Sequence, residues 1–413
     1  MTRTALVLGA GMVGVSCALA LQKRGLAVTL IDRKEPGRET SYGNAGVLAA
    51  SSILPLNNPA LYAKIAGYLG NRHPALNLSL RRASTRPGWL LRFLWEARPS
   101  QGLARIAALQ ALTADTVARH RALMGEAGIP HRLRETGTLK LWRSEAGHAA
   151  AQAEHDFLKR HGIESHLLDR QGISGVEPGL KPIFPAGLLI PSVGSVDSPG
   201  AVTAAYAALF AERGARIVQA AVTGLSRNSA GWRAETATGG FEADITVVAL
   251  GPWSGDLLKP LGIDPKLDVE RGYHRHLTPQ AGSSLTRPVY DVDGAYYIAP
   301  MEQGYRVTCG VDLSLRDAPD ALRQIDSATA AAREAFPLGA VVGETWRGAR
   351  PTLPDSLPMI GEAPRHPGLW LAFGNQHVGF STGPITGEMI AAMVCGEPPP
   401  IDPTPYRPGR YIS

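Results

Sequence analysis

Gly9, Gly11, Gly14 and Asp32 make the most chemically informative spacing in this chain of 413 residues. They stand in ALVLGAGMVGVSCALALQKRGLAVTLID, residues 5–32, where an apolar run breaks into glycines, an amphipathic stretch follows, and a second apolar run ends on Asp32. That order is strand, glycine turn, helix, strand. The first glycine permits the tight turn, the second lets a pyrophosphate approach the backbone, and the third lets helix and strand pack closely. The helix N-terminus adds free N–H groups and positive potential. Asp32 falls where a carboxylate can bond a ribose hydroxyl. With strand, helix and acid all in place the stretch reads as a dinucleotide site, against the bland alternative of a glycine-rich βα turn. It does not choose between FAD and NAD, which share the same ADP half.

The elements that must position such a ligand follow along the chain. A glycine loop comes first, then an apolar and basic region, then a long helix expected from about Gln101 to Glu126. GTLKLWR, from Gly137 to Arg143, reads as a strand. Ser198 and Pro199 open a helix that closes near Gly214, and ADITVVALGPWS, from Ala243, is a buried strand ending in Gly251. From Tyr290, β-rich runs are separated by Asp293-Gly294 and by Glu302-Gln303-Gly304, as antiparallel hairpins require. The last segment repeats the opening pattern, with GLWLAF, a glycine turn, and a helix expected from Pro384 to about Cys395. The expectation is an α/β chain (α+β overall) with interleaved domains, parallel α/β pieces at both ends and the middle building one unit and antiparallel hairpins another.

The length predicts about two domains. No run reaches the roughly 18 apolar residues of a membrane-spanning helix, and the fingerprint at Gly9 leaves little room for a removable leader. Cys17, Cys309 and Cys395 are far apart without CxxC pairing, so no metal site is expected and a cytoplasmic setting fits. The net charge of +6 is unevenly spread. No Asp or Glu occurs from Thr40 to Trp95, while Lys64, Arg72, Arg81, Arg82, Arg86 and Arg92 interleave with Leu61, Tyr62, Ile65, Tyr68, Leu69, Trp89, Leu91 and Trp95. Two readings fit this region equally: a segment lying peripherally on the inner face of a membrane, or a helical hairpin packed on the protein with Arg stems covering apolar surface. Nucleic-acid binding is disfavoured, since no recognised module accompanies the charge.

The C-terminal segment separates the two cofactors. A nicotinamide-binding domain is usually complete within one continuous stretch, whereas a flavin ring lies far from its ADP half and needs a second backbone platform. Four stretches together, VLGAGMVG from Val7, ETSYGNAG from Glu39, GARPTLPDSLPMIG from Gly348 and GNQHVGFSTGP from Gly374, resemble the FAD-dependent D-amino-acid oxidase superfamily. Within it the likeness is to the bacterial D-amino-acid dehydrogenase group, small-subunit type, with its glycine oxidase and sarcosine oxidase relatives. It covers essentially the whole chain in order. The resemblance implies a Rossmann-like FAD domain of the glutathione-reductase type, from residues 1–50, 145–260 and 340–413, interleaved with an antiparallel-sheet substrate domain from 51–144 and 261–339.

It also implies residue roles. Gly9, Gly11, Met12, Val13 and Gly14 would meet the pyrophosphate, with Asp32 and Arg33 near the ribose. Ser41, Gly43, Asn44, Ala45 and Gly46 would pass along the flavin ring, where small residues let backbone come within hydrogen-bond reach. Val222 would read the adenine, and Gly251 and Trp253 would line the same groove. Gly374, Gln376, His377, Val378 and Gly379 would face the pyrimidine end, their N–H groups stabilising charge on the reduced ring. Arg350 lies where relatives grip the substrate carboxylate with a planar fork; a surface arginine before a turn is the alternative. One of Tyr273, Tyr296 and Tyr297 would be the second carboxylate contact, though each singly is more often a core aromatic. His377 resembles the GxQHxG form of D-hydroxyproline dehydrogenase-like proteins, and either lines the pocket or is a satisfied structural histidine.

The implied chemistry is oxidative deamination of D-amino acids to 2-oxo acids and ammonia with non-covalent FAD, electrons passing to a quinone or respiratory acceptor at a membrane surface. Alternatives are oxidation of cyclic or N-methylated amino acids (D-proline, D-hydroxyproline, sarcosine, glycine), work as one subunit of a hetero-oligomer with a partner chain, and a non-catalytic flavin-binding module.

Overall fold

The computed structural model describes residues 2–62, 74–229 and 231–412. Lys64, Ile65, Tyr68, Leu69 and Arg72 of the apolar and basic region lie outside the described residues.

The apolar runs at the two chain ends meet in one sheet. Its strand order is Arg216–Gln219, Ala27–Asp32, Thr4–Leu8, Ile245–Val248, Leu369–Phe373 and Met359–Glu362. All neighbours pair in parallel except the last, which is antiparallel. Continuous apolar stretches such as ALVL and LWLAF form these strands because parallel strands are covered on both faces. The helices Met12–Lys23, Pro199–Glu212 and Gly379–Val394 share one core with the sheet. On the other face lies a three-stranded antiparallel sheet, Val222–Asn228, Gly231–Thr236 and Gly239–Ala243.

The second layer is a ten-stranded mixed sheet. Its longest members, Asp268–Pro279 and Leu338–Thr352, run antiparallel, and Val289–Asp291, Tyr296–Met301 and Gly304–Thr308 form the expected hairpins. Ala186–Ile190 and His166–Leu168 pair into this sheet, and the chain re-enters the parallel unit at the Pro199 helix. The helix Arg323–Ala335 covers one face with a core that includes Tyr273, Tyr296 and Phe336. The opposite face is left for the cavity described below.

Two sequence expectations need correction. The single helix expected over 101–126 is two, Pro99–Thr113 and Thr116–Glu126, broken at Ala114-Asp115. Asp favours helix ends, where its short side chain competes for backbone groups, and apolar periodicity alone hides such a break. The last helix opens at Gly379, not at Pro384, which sits inside it. A proline there cannot donate to the carbonyl four residues earlier. That carbonyl, on Phe380, is met instead by His120 Nε2 at 2.9 Å. The imidazole is fully buried, and burial pushes it down to about 4, so it stays neutral.

Of the apolar and basic region, Leu76–Leu78 is a strand and the part after it is helical, Leu80–Thr85 and Pro87–Glu96, with the helix Pro99–Thr113 following. Its inner side packs, with Trp89 buried and its Nε1 donating to the Lys266 carbonyl at 2.8 Å. Its outer side does not: Leu91, Trp95 and Leu103 are 68%, 54% and 78% exposed.

Candidate active site

One cavity of about 590 Å³ runs from the first glycine turn to the ten-stranded sheet. At its nucleotide end the wall is backbone. Gly9 has φ +109°, and a Cβ there would stand 2.4 Å from the Ala249 carbonyl oxygen; a Cβ on Gly14 would stand 1.8 Å from the Gly9 oxygen. Both positions therefore demand glycine, Gly14 by the close packing of helix against strand that its spacing predicts. Asp32 holds the turn from below: its Oδ2 accepts from the Ala10 N–H at 2.6 Å and its Oδ1 from Lys34 N–H at 3.0 Å. Burial raises the Asp32 carboxyl, and these two backbone donors pull it partly back. Beside it the Arg33 guanidinium lies 4.0 Å from the centre of the Trp253 ring and pairs with Glu39 at 2.7 Å. Val222 and Gly251 complete this end.

The middle of the wall is the loop from Ser41 to Ala45. Ser41 Oγ accepts from the Met12 N–H at 2.9 Å, a first-turn donor of the first helix. A Cβ on Gly43 would fall 1.7 Å from the Trp346 indole, so the loop lies flat on that ring. From behind, the buried Arg306 guanidinium donates to the carbonyls of Tyr42, at 2.9 Å, and of Asn44. Asn44 Oδ1 accepts from Gly46 N–H at 2.9 Å.

The far end is built of side chains on strands. In the long antiparallel pair Glu270 stands opposite Arg350, Gly272 opposite Gly348 and His274 opposite Trp346, which puts all six on one face. The Arg350 guanidinium crosses Gly272, where a Cβ would meet its nitrogen at 2.4 Å. Among the described residues Arg350 makes no ion pair and donates no side-chain hydrogen bond, an unusual state for a cavity-lining guanidinium. Tyr290 and Tyr297 pair across neighbouring strands with rings 4.7 Å apart. Burial pushes the Tyr290 phenol up to about 12 and raises Tyr297 as well.

The turn after Phe373 closes the site. Gln376 has φ +51°, and both Gln376 and His377 line the cavity. Burial first, and Arg350 second, push the His377 imidazole down to about 4, so it is neutral around pH 7. Gln376 Nε2 and His377 Nδ1 are buried without a hydrogen-bond partner among the described residues.

The cavity brings together Gly9, Gly11, Met12, Val13, Asp32, Arg33, Ser41, Gly43, Asn44 and Ala45 from the N-terminal motifs. Val222, Gly251, Trp253, Arg350, Gln376, His377 and Gly379 join them from later in the chain. Gly14, Gly46, Gly374 and Val378 do not line it; they shape the turns behind. Tyr273 is corrected as a carboxylate contact. Its ring borders the cavity, but its hydroxyl donates to Asp312 at 3.0 Å and accepts from the Ala321 N–H and from Arg271. Tyr296 likewise points to the helix side, bonding the Ala331 carbonyl. Both rings border the cavity, as does Tyr297, whose ring lies against that of Tyr290. Glu270, Tyr290, Arg306 and Trp346 escaped the sequence reading; the signal available was alternation in the strand pairs, read with the correct register.

These residues fit FAD. Glycine turns cradle both the nucleotide turn and the middle loop, an elongated cavity joins them, and the orphaned Gln376 and His377 nitrogens on its wall call for hydrogen-bond partners that a polar ring edge provides.

Residues 4–393 match the DAO family of FAD-dependent oxidoreductases. The chain is 30% identical to a D-amino-acid oxidase of Bradyrhizobium diazoefficiens, over 98% of each chain. It is also 30% identical to a D-amino acid dehydrogenase of a Methylobacterium strain, again over 98% of each. Among solved structures, glycine oxidase from Geobacillus kaustophilus superposes over 100% of both chains with a TM-score of 0.77 at 22% identity, a likeness of fold.

Proposed function

The chain belongs to the DAO family of FAD-dependent oxidoreductases, and on that premise we propose that it oxidises D-amino acids to 2-oxo acids and ammonia. The observation that carries the reading is Arg350: a guanidinium with no side-chain partner among the described residues, lining a cavity whose other end is the nucleotide turn. Two relatives that bear the names D-amino-acid oxidase and D-amino acid dehydrogenase support the substrate class.

In this reading the backbone from Gly9 to Val13 holds the pyrophosphate, and the Ser41–Ala45 loop and the Gln376–Gly379 turn hold the ring. Bound there, FAD supplies the two-electron acceptor for the hydrogen on the substrate's α-carbon. Arg350 fixes the substrate carboxylate with two parallel N–H···O bonds, which sets orientation as well as position. Gly272 leaves the guanidinium room to lie flat. Tyr290, Tyr297 and Trp346 wall off water with aromatic surface. His377 is neutral and adds no charge to compete with Arg350 for the carboxylate. The imine left after oxidation is hydrolysed by water to the 2-oxo acid and ammonia.

The electron acceptor, in our reading, sits at a membrane surface. The outward row of Leu91, Trp95 and Leu103 supports this, flanked by Arg98, whose guanidinium lies 3.4 Å from the centre of the Trp95 ring. No helix among the described residues is long and apolar enough to cross a membrane, so the contact would be peripheral. Anaerobic bleaching of the flavin by a panel of D- and L-amino acids and secondary amines tests the activity. D-amino acids should bleach it fastest, and bleaching by none of them sinks the reading. Sedimentation with anionic liposomes at low salt tests the docking.

A further inference from the structure

Glu270 is 2% exposed, lines the cavity, and faces the same side of the sheet as Arg350, its register partner. Its Oε2 is buried with no hydrogen-bond partner among the described residues. No cation lies within ion-pairing distance of it among the described residues, although Arg350 and Arg82 are both close enough to be felt. A buried carboxylate oxygen without a donor is costly, and each such group in a folded protein asks for an explanation.

An α-amino acid arrives as a zwitterion, with a carboxylate and an ammonium on one carbon. The wall offers the complementary pair, a guanidinium and a carboxylate, at one register position of one ladder. Resting on the reading that this cavity takes α-amino acids, we propose that Glu270 receives the substrate's ammonium group and takes a proton from it while Arg350 holds the carboxylate. In that step an N–H bond of the ammonium breaks, an O–H bond forms at Glu270 Oε2, and the nitrogen keeps the electron pair. The resulting neutral amine uses that pair to form the C=N bond as the two electrons of the C–H bond leave as hydride to FAD, the family's oxidant. Glu270 gives its proton to water when the product departs.

The surroundings suit a proton acceptor. Burial raises the Glu270 carboxyl above the ordinary range, while Arg350, the Thr352 hydroxyl and Arg82 pull it partly back and Asp268 pushes it up again. Asp268, on the same strand, pairs with Arg82 at 3.0 Å, so that arginine is not free to neutralise Glu270 fully. The raised carboxyl is the better acceptor of an ammonium proton.

The test is Glu270→Gln in the FAD-loaded protein, with anaerobic flavin reduction by a D-amino acid followed from pH 6 to 10. Reduction at pH 7 should slow about 100-fold, and its rate should rise tenfold per pH unit up to the free amine's own pKa, while the wild type levels off at lower pH. Binding of an aliphatic carboxylate without an amine, read from the flavin spectrum, should stay within threefold of wild type. A wild-type pH profile in the variant, with reduction within threefold, overturns the proposal and leaves Glu270 as a structural partner of Arg82. If Glu270→Gln loses FAD, Glu270→Asp serves: it should keep the wild-type profile at a lower rate, and the tenfold-per-unit profile in that variant overturns the proposal equally. The activity on which this rests fails separately, by wild-type protein that no amino acid reduces.

Discussion

The two ends of the cavity are made of different material. The nucleotide end is backbone: Gly9, Gly11 and the N–H groups of one helix start, held by a single carboxylate, Asp32. The substrate end is side chains: Glu270, Tyr290, Tyr297, Trp346 and Arg350, drawn from four strands and brought together by register. A backbone turn is contiguous in sequence, as Gly9 to Gly14 is here. A side-chain site need not be, because a sheet collects residues far apart in the chain. The first is therefore intolerant of added atoms anywhere in its turn, and the second is intolerant of lost groups at a few points.

The largest expected effect is at the backbone end. Gly14→Val puts a branched side chain where a single Cβ already stands 1.8 Å from a carbonyl oxygen; it should destabilise the fold by roughly 4 kcal/mol or more and abolish FAD retention, read by denaturation midpoint and flavin absorbance. If this variant stays yellow and stable, the contrast between the ends is lost. Next, Arg350→Ala should keep the yellow colour but lower kcat/KM for D-amino acids about 10³-fold, equivalent to about 4 kcal/mol for a removed charged bidentate contact. Gly272→Ala sharpens the point further. Its new Cβ displaces the Arg350 guanidinium, so KM should rise about 30-fold, near 2 kcal/mol, with FAD affinity unchanged.

A gradual effect, spread over the pH scale, concerns acid. His120 lies behind the backbone end, whereas His274 and His276 stand on the strand of Glu270 and His377 on the cavity wall; burial is the main cause that pushes His120, His276 and His377 down to about 4 and His274 further still. The unfolded chain binds their protons near the ordinary histidine value and the folded chain does not, so stability is full above that value and falls as pH drops through 6.5 toward 4. Each fully buried histidine contributes up to about 1.4 kcal/mol per pH unit in that window. Two of the four share the strand Asp268–Pro279, so acid should loosen that sheet first, and hydrogen exchange at pH 5 should show the strands around residue 274 opening before the parallel sheet. The reverse order would remove the asymmetry.

The same difference in material explains what the sequence disclosed. The parallel sheet, its order of strand, glycine turn and helix, and the residues of the nucleotide end were legible because each is local: a run of apolar residues, a glycine spacing, an acid at the strand end. Arg350 was reached through the motif around it. Glu270 was not, because VERGYH reads as an ordinary strand until its register against residues 346–352 is known. Among three tyrosines the sequence left the choice open for the same reason: Tyr296 and Tyr297 are neighbours in sequence, and their different partners, the Ala331 carbonyl and the Tyr290 ring, come only with the fold. The start of the last helix was misplaced because a proline inside a helix needs a distant partner, His120, for the carbonyl it leaves behind.

That proline bears on any attempt to make the protein sturdier. Replacing Pro384 by alanine, the usual remedy for a helix interior, would restore an amide that shares the Phe380 oxygen with the enclosed imidazole. Local propensity would improve while the histidine's bond to that oxygen met a competitor. Positions 120 and 384 should therefore be changed as a pair, with a double-mutant cycle reporting their coupling through the Phe380 carbonyl.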